Sequence, residues 1–300
     1  IIKFEGHYHG WFDEVAYSVN PSAHELGDRR DPNVVPWSGG IPDGSADHLI
    51  ILPWNDLAAV RRAFDTHPND IAAIITEPVM CNQGCIEPEP GFLEGLRDLC
   101  DQNDAALIFD EIITGFRIDV GGAQRHYGVV PDLAVFGKAL GSGLPISALV
   151  GKERFFAPIV RNEVFHAGTL NSNNICVAAA LKTLEILRED DEAVHRHIVT
   201  MGQALRDGLA TLAEIDPHLH VQGPGPMFHV GFLNEPGPVR EYRDVLRYDM
   251  TKYGRFVAGL AEHGVRVIGR GIWYISSSHD EEHVQHAIEA ARDVLQTMQR

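Results

Sequence analysis

The sequence has few cysteines, no excess of basic residues and no long apolar run, and each shortage closes off a class of function. Cys81, Cys85, Cys100 and Cys176 are the only cysteines among 300 residues. They show no paired CxxC spacing, so a disulfide scaffold and a cysteine-held metal are not expected. An acidic, enzyme-like chain of this size fits reduced thiols in a cytosol. Lys and Arg number 25 against 42 Asp and Glu, a formal net charge of −17, which argues against nucleic acid or an anionic membrane as a partner. No apolar stretch has the length of a membrane span, and the opening IIKFEGHYHG has neither a Met nor the pattern of a signal peptide. His7 and His9 stand two apart without companion ligands, too weak a pattern to imply a metal.

What is present is an ordinary globular composition, 44% hydrophobic and 22% charged, with room for a large core. Short apolar runs alternate with helix-length amphipathic runs up to about residue 150, the signature of an α/β domain with a mostly parallel sheet. Strands are expected at 1–4, 48–53, 71–76, 105–110, 133–137 and 147–151, and helices at 55–64, capped by Asn55, and at 91–103. The Pro-, Gly- and Ser-rich stretch 18–47 reads as a long surface excursion. After 173 the order becomes helix, helix, strand at MFHVGFL, a long helix over 239–263, strands at VRVIG and WYISS, and a final helix. This predicts a large domain over 1–190 and a smaller α+β domain over 191–300.

Two residues in this frame suggest chemistry. Asp110 ends the run AALIFD and Lys138 ends LAVFGK, just before the glycine-rich turn ALGSGLP. In a parallel sheet both strand ends would project into one crevice, where α/β folds bind ligands. Taken singly, Lys138 reads as a solvated cap and Asp110 as a turn residue. Together they could form a buried ion pair, or they could be the two handles of pyridoxal phosphate, the lysine forming a Schiff base and the aspartate holding the ring nitrogen protonated. Glycines after the lysine, which let backbone approach closely, suit the second reading.

The segments KFEGHYHG (3–10), ITEPVMCNQG (75–84), LIFDEIITGFR (107–117), PDLAVFGKALGSGLP (131–145) and HAGTLNSNN (166–174) resemble, in order, those of the class III pyridoxal-phosphate aminotransferases. The branch containing glutamate-1-semialdehyde 2,1-aminomutase is nearest. The resemblance implies a fold-type-I transferase in which Lys138 is the Schiff-base lysine that carries the proton and Asp110 binds the pyridine N–H. It places Tyr8 on one face of the ring and Ile112 on the other, and Asn82 on the side of the phenolic oxygen. Glu77 would support the same crevice, and His9, also near the cofactor, would be structural rather than a base. Thr169 would reach the cofactor phosphate of a partner subunit, making a homodimer part of the site. Arg270 is a candidate clamp for a substrate carboxylate, or else an exposed strand-end arginine.

Two positions depart from that branch. Asn173–Asn174 stands where an Asn-Pro pair is usual, and Gly271 in GRGIWY stands where the aminomutase has a glutamate. The expected activity is therefore amine transfer from an amino acid or amine to a keto acid or aldehyde, in the cytoplasm. The aminomutase is the runner-up, and a catalytically silent relative is the alternative that loss of Lys138 or Asp110 would have signalled. The resemblance also implies that the N-terminal part of the fold, including a turn cupping the cofactor phosphate, precedes Ile1.

Overall fold

A computed structural model describes residues 1–299. In chain order the elements are β1 (Ile2–Phe4), β2 (Gly27–Asp28), β3 (Asp31–Pro32), β4 (Ile50–Leu52), α1 (Leu57–Thr66), β5 (Ala73–Thr76), α2 (Phe92–Gln102), β6 (Ala106–Asp110), α3 (Gly122–Tyr127), β7 (Leu133–Phe136), β8 (Ala148–Gly151) and α4 (Glu153–Val160). They continue with α5 (Asn174–Arg188), α6 (Ala193–Ala210), β9 (Leu219–Gln222), β10 (Met227–Phe232), α7 (Tyr242–Val245), α8 (Met250–Glu262), β11 (Ile272–Tyr274) and α9 (Glu281–Met298).

The main sheet runs β4-β1-β5-β6-β7-β8. Every neighbouring pair is parallel except β7–β8, which is antiparallel. Its strands are nearly continuous apolar runs because a parallel sheet is covered on both faces. The helix α2 lays Phe92, Leu93, Leu96, Leu99 and Cys100, an i, i+3, i+4 set, onto this core. Gly95 lets α1 come close, since a Cβ there would lie 2.3 Å from Leu57. A second core gathers α6, α8 and α9 on the antiparallel sheet β11-β10-β9, around Phe228, Phe232, Phe256 and Leu260. No helix among the described residues is long and apolar enough to cross a membrane.

Several local expectations need correction. Helix α1 is capped by Asp56, which accepts the N–H of Ala59, and not by Asn55. Asn55 has φ +60° and donates its amide to the carbonyls of Glu87 and Arg240. The expected helix over 239–263 is two helices, because Asp249 accepts the N–H of Lys252 and starts α8 afresh. VRVIG forms no strand, and β9 and the short helices α3 and α4 were not expected. The excursion 18–47 carries the two-residue ladder β2–β3 and a single bridge from Pro36 to Tyr17.

Candidate active site

Four adjacent parallel strands, β1, β5, β6 and β7, end at one rim of the sheet, and each hands over a polar residue there. Past β1 come Tyr8 and His9, past β5 comes Glu77, β6 ends in Asp110, and Lys138 follows β7. A cavity of about 300 Å³ collects Tyr8, His9, Glu77, Asn82, Asp110, Ile112 and Lys138. Residues separated by up to 130 positions in the chain thus meet because a parallel sheet aligns carboxyl ends.

Asp110 is fixed on both oxygens. Its Oδ1 accepts the N–H of Ile112 at 3.1 Å and its Oδ2 accepts from His9 Nδ1 at 2.8 Å. A carboxylate only accepts, so the His9 proton sits on Nδ1. Burial holds the His9 pKa below its ordinary value although Asp110 pulls it upward, so a neutral imidazole orients the carboxylate and leaves its negative charge unspent. The structure brings His9, expected to be structural rather than a base, into contact with Asp110.

Lys138 has φ +42°, in the left-handed region that costs a non-glycine residue about 1 kcal/mol or more and that clusters at functional positions. Desolvation lowers its pKa, against the opposing pull of Asp110 and Glu77. No ion pair joins Lys138 to either carboxylate among the described residues, so the plain buried-pair reading does not hold. Both side chains line one cavity. Gly137 just before the lysine makes room for Ile112, whose Cδ1 would lie 2.8 Å from a Cβ at that position.

Below the rim, Glu77 accepts the backbone N–H groups of Tyr8, Cys81 and Asn82, tying the β1 turn to the loop that carries Asn82. Burial, with the nearby Asp110 charge, pushes Glu77 up to about 7. Its own N–H donates to His7 Nδ1. Lys3, wholly buried, donates to the carbonyls of His7 and Tyr17 at 2.7 Å each, and burial pushes its pKa down. Sequence reasoning missed Lys3 and His7 as supports; a lysine inside the apolar opening IIKF was the available signal. Glu5 beside them accepts from Nε and Nη2 of Arg243.

A larger compartment of about 700 Å³ adjoins the first, sharing Tyr8, Asn82 and Lys138 and adding Trp37, His229, Tyr248, Met250 and Arg270. Arg270 therefore reaches the neighbourhood of Lys138 but is itself exposed. Thr169 is exposed and lines neither cavity.

A family model for Aminotransferase class-III matches residues 1–293. The chain belongs to that family. Among solved structures it is similar to an omega-transaminase from Sphaerobacter thermophilus, at 28% identity and a TM-score of 0.91, over 100% of this chain and 68% of that one. It is also similar to a glutamate-1-semialdehyde aminomutase from Pseudomonas aeruginosa PAO1 solved in complex with PMP, at 27% identity and TM-score 0.81, over 98% and 65%. A beta-phenylalanine aminotransferase from Variovorax paradoxus matches at 25% identity and TM-score 0.80, over 97% and 63%. The chain spans about two thirds of the length of these relatives. The fold is that of the fold-type-I pyridoxal-phosphate transferases, and pyridoxal phosphate is the family's cofactor.

The cavity suits that cofactor. Its volume is at the lower end of the range for small-molecule sites, about 300 Å³. At one side lies an oriented carboxylate and at another an amine, neither with an ionic partner of its own among the described residues, while apolar Ile112 lies in a space that glycine at 137 keeps open.

Proposed function

We propose that the chain is an aminotransferase that moves an amino group from an amino acid or amine to a keto acid or aldehyde with pyridoxal phosphate. The observation that carries this reading is the unpaired juxtaposition of Lys138 and Asp110 in one cavity at the strand ends. When bound, the cofactor supplies an electron sink for negative charge developing at the carbon that bears the amine. Asp110 presents a fixed anion that favours a protonated ring nitrogen, and His9 holds the carboxylate in place. Tyr8 and Ile112 wall the ring, and Asn82, anchored through Glu77, bounds its edge. Lys138, whose pKa desolvation lowers, takes a proton at Nζ and returns it, the work of a general base.

Thr169 belongs to a segment whose neighbours Val160, Phe165, Leu170 and Ile175 are 79%, 93%, 79% and 72% exposed. This much exposed apolar surface in one segment calls for cover, which supports a homodimer in which Thr169 serves the partner's cofactor phosphate. The four free, buried cysteines suit a cytoplasmic protein. Gly271 puts no carboxylate where the aminomutase has one, so transfer between two substrates is favoured over isomerisation of one.

The test is to load the protein with pyridoxal phosphate, reduce with borohydride and map the peptides. The cofactor should be found covalently on Lys138, and label on any other lysine defeats the assignment.

A further inference from the structure

The larger compartment holds a buried polar group that the reaction as described does not use. His229, on β10, is 4% exposed and packs against Tyr248 with ring centroids 4.5 Å apart. Its Nδ1 is sealed from solvent and has no hydrogen-bond partner among the described residues. The residue lines the compartment, and its Nε2 packs against Gly271, where a Cβ would come within 2.0 Å of it. Gly271 also has φ +94°. With the ring in place, position 271 admits only glycine. The imidazole thus fills the room that a side chain at 271 would need, which is where the resemblance led to the expectation of a glutamate.

Burial, with His220 nearby, holds His229 at about 3, so the ring is neutral at any working pH and carries one N–H. A buried N–H without a partner is rarer in proteins than an under-used acceptor. The proton therefore belongs on Nε2, and the lone pair on the sealed Nδ1. Arg270, the residue before Gly271, lines the same compartment and has no carboxylate partner among the described residues. The same space is lined by the apolar Val245, Leu246 and Met250, by aromatic rings, and on its other side by Asn20, Ser22, Asn82, Gln83 and Lys138, none of them a carboxylate.

We propose that His229 is a specificity-determining residue, its Nε2–H receiving, together with the Arg270 guanidinium, a carboxylate group of the amino donor or carbonyl acceptor. The inference rests on the transferase reading above. A glutamate at 271 would present an anion here and repel that group; a neutral imidazole and a cation attract it. The histidine on β10 and the glycine before β11 are two parts of one device.

The test uses the cofactor-loaded protein and succinate, a dicarboxylate with no amine to transfer, followed through imidazole nitrogen signals in NMR. Succinate should shift the signal that disappears in His229→Phe. A hydrogen bond to a charged group corresponds to roughly a ten- to hundredfold affinity, so His229→Phe and Arg270→Gln should each weaken succinate by at least tenfold. His229→Gln, whose amide nitrogen can stand near the place of Nε2, should recover much of the binding, and it serves if the phenylalanine variant does not fold. In turnover the KM for a carboxylate-bearing donor should rise in His229→Phe far more than its kcat falls. Unchanged succinate affinity in both His229→Phe and Arg270→Gln overturns the proposal, as does an equal loss of affinity for a carboxylate-free amine. Failure of the unaltered protein to take up pyridoxal phosphate would instead count against the transferase reading, independently of the succinate result.

Discussion

Replacing Asp132 by asparagine tests the anchor that sets β7, and hence Lys138, in register. The Asp132 carboxylate is fully covered and accepts from the Leu107 N–H at 2.9 Å, Arg97 at 2.8 Å, Lys152 at 2.7 Å and Arg154 at 3.4 Å. Burial alone would raise its pKa, but the hydrogen bonds from Lys152, Leu107 and Arg97 hold it at about 2 against an ordinary 3.8. At 1.36 kcal/mol per unit this is roughly 2 kcal/mol of stability. The folded value lies below the unfolded one, so the contribution is complete above about pH 5 and drains as the pH falls toward 2; about half is gone by pH 3. In Asp132→Asn the Leu107 contact can persist, while Arg97 loses its buried counter-charge and keeps only the exposed Asp101. Lys152 and Arg154 are half exposed and turn to water, so the expected loss at pH 7 is about 2–3 kcal/mol, toward the low end for a broken buried pair. Urea unfolding of both proteins from pH 7 to pH 3 measures it. The gap between their midpoints should narrow steadily with acid, at unchanged m. A gap that is the same at every pH, or absent at pH 7, would refute the reasoning.

Asp110→Asn should fold, as judged by circular dichroism, and lose at least a hundredfold in kcat, because removing one preorganised charge costs about that much; near-normal turnover would contradict the pairing. His9→Phe should leave the cofactor on Lys138 but lower kcat more than KM changes, while the His9 nitrogen signals in the unaltered protein should remain those of a neutral ring below pH 6.5, since burial lowers its pKa. Gly271→Ala should destabilise by about 2–4 kcal/mol from left-handed strain and overpacking. In Gly271→Ala with His229→Ala, part of that cost should be recovered, a coupling read from a double-mutant cycle of denaturation midpoints.

The sheet and the pair Lys138–Asp110 were legible because each strand is a compact apolar run and each residue marks where a run stops. What adjoins them was not. His9 meets Asp110 across 101 positions, and no local pattern announces that an imidazole in GHYHG will orient a carboxylate on β6. The cap of α1 was misplaced by one residue because Asn55 and Asp56 are both good caps, and only the left-handed turn at Asn55 decides between them. The long helix over 239–263 was over-read because its apolar spacing continues through Tyr248, while Asp249 restarts the hydrogen bonding. VRVIG has the composition of a strand but pairs with no neighbour, and pairing is what makes a strand. Gly271 was noticed as a missing glutamate; that His229 takes up its space depends on the register of β10 against β11, which places His229 opposite Ile272 and no sequence reading supplies.

The alignment of β1, β5, β6 and β7 also sets a timetable for biosynthesis. Tyr8 leaves the ribosome 130 residues ahead of Lys138, and at about 5–20 residues per second the first wall of the site waits on the order of ten seconds for the lysine opposite. During that interval β1 can pair with β4, but its other edge needs β5, and β5 in turn needs β6. Such non-local parallel pairings form late and slowly. The nascent chain therefore carries Ile2, Phe4, Ile74 and Leu107 without their final cover, and a chaperone that shields parallel strand edges should raise the yield of cofactor-competent protein more than one that acts after release.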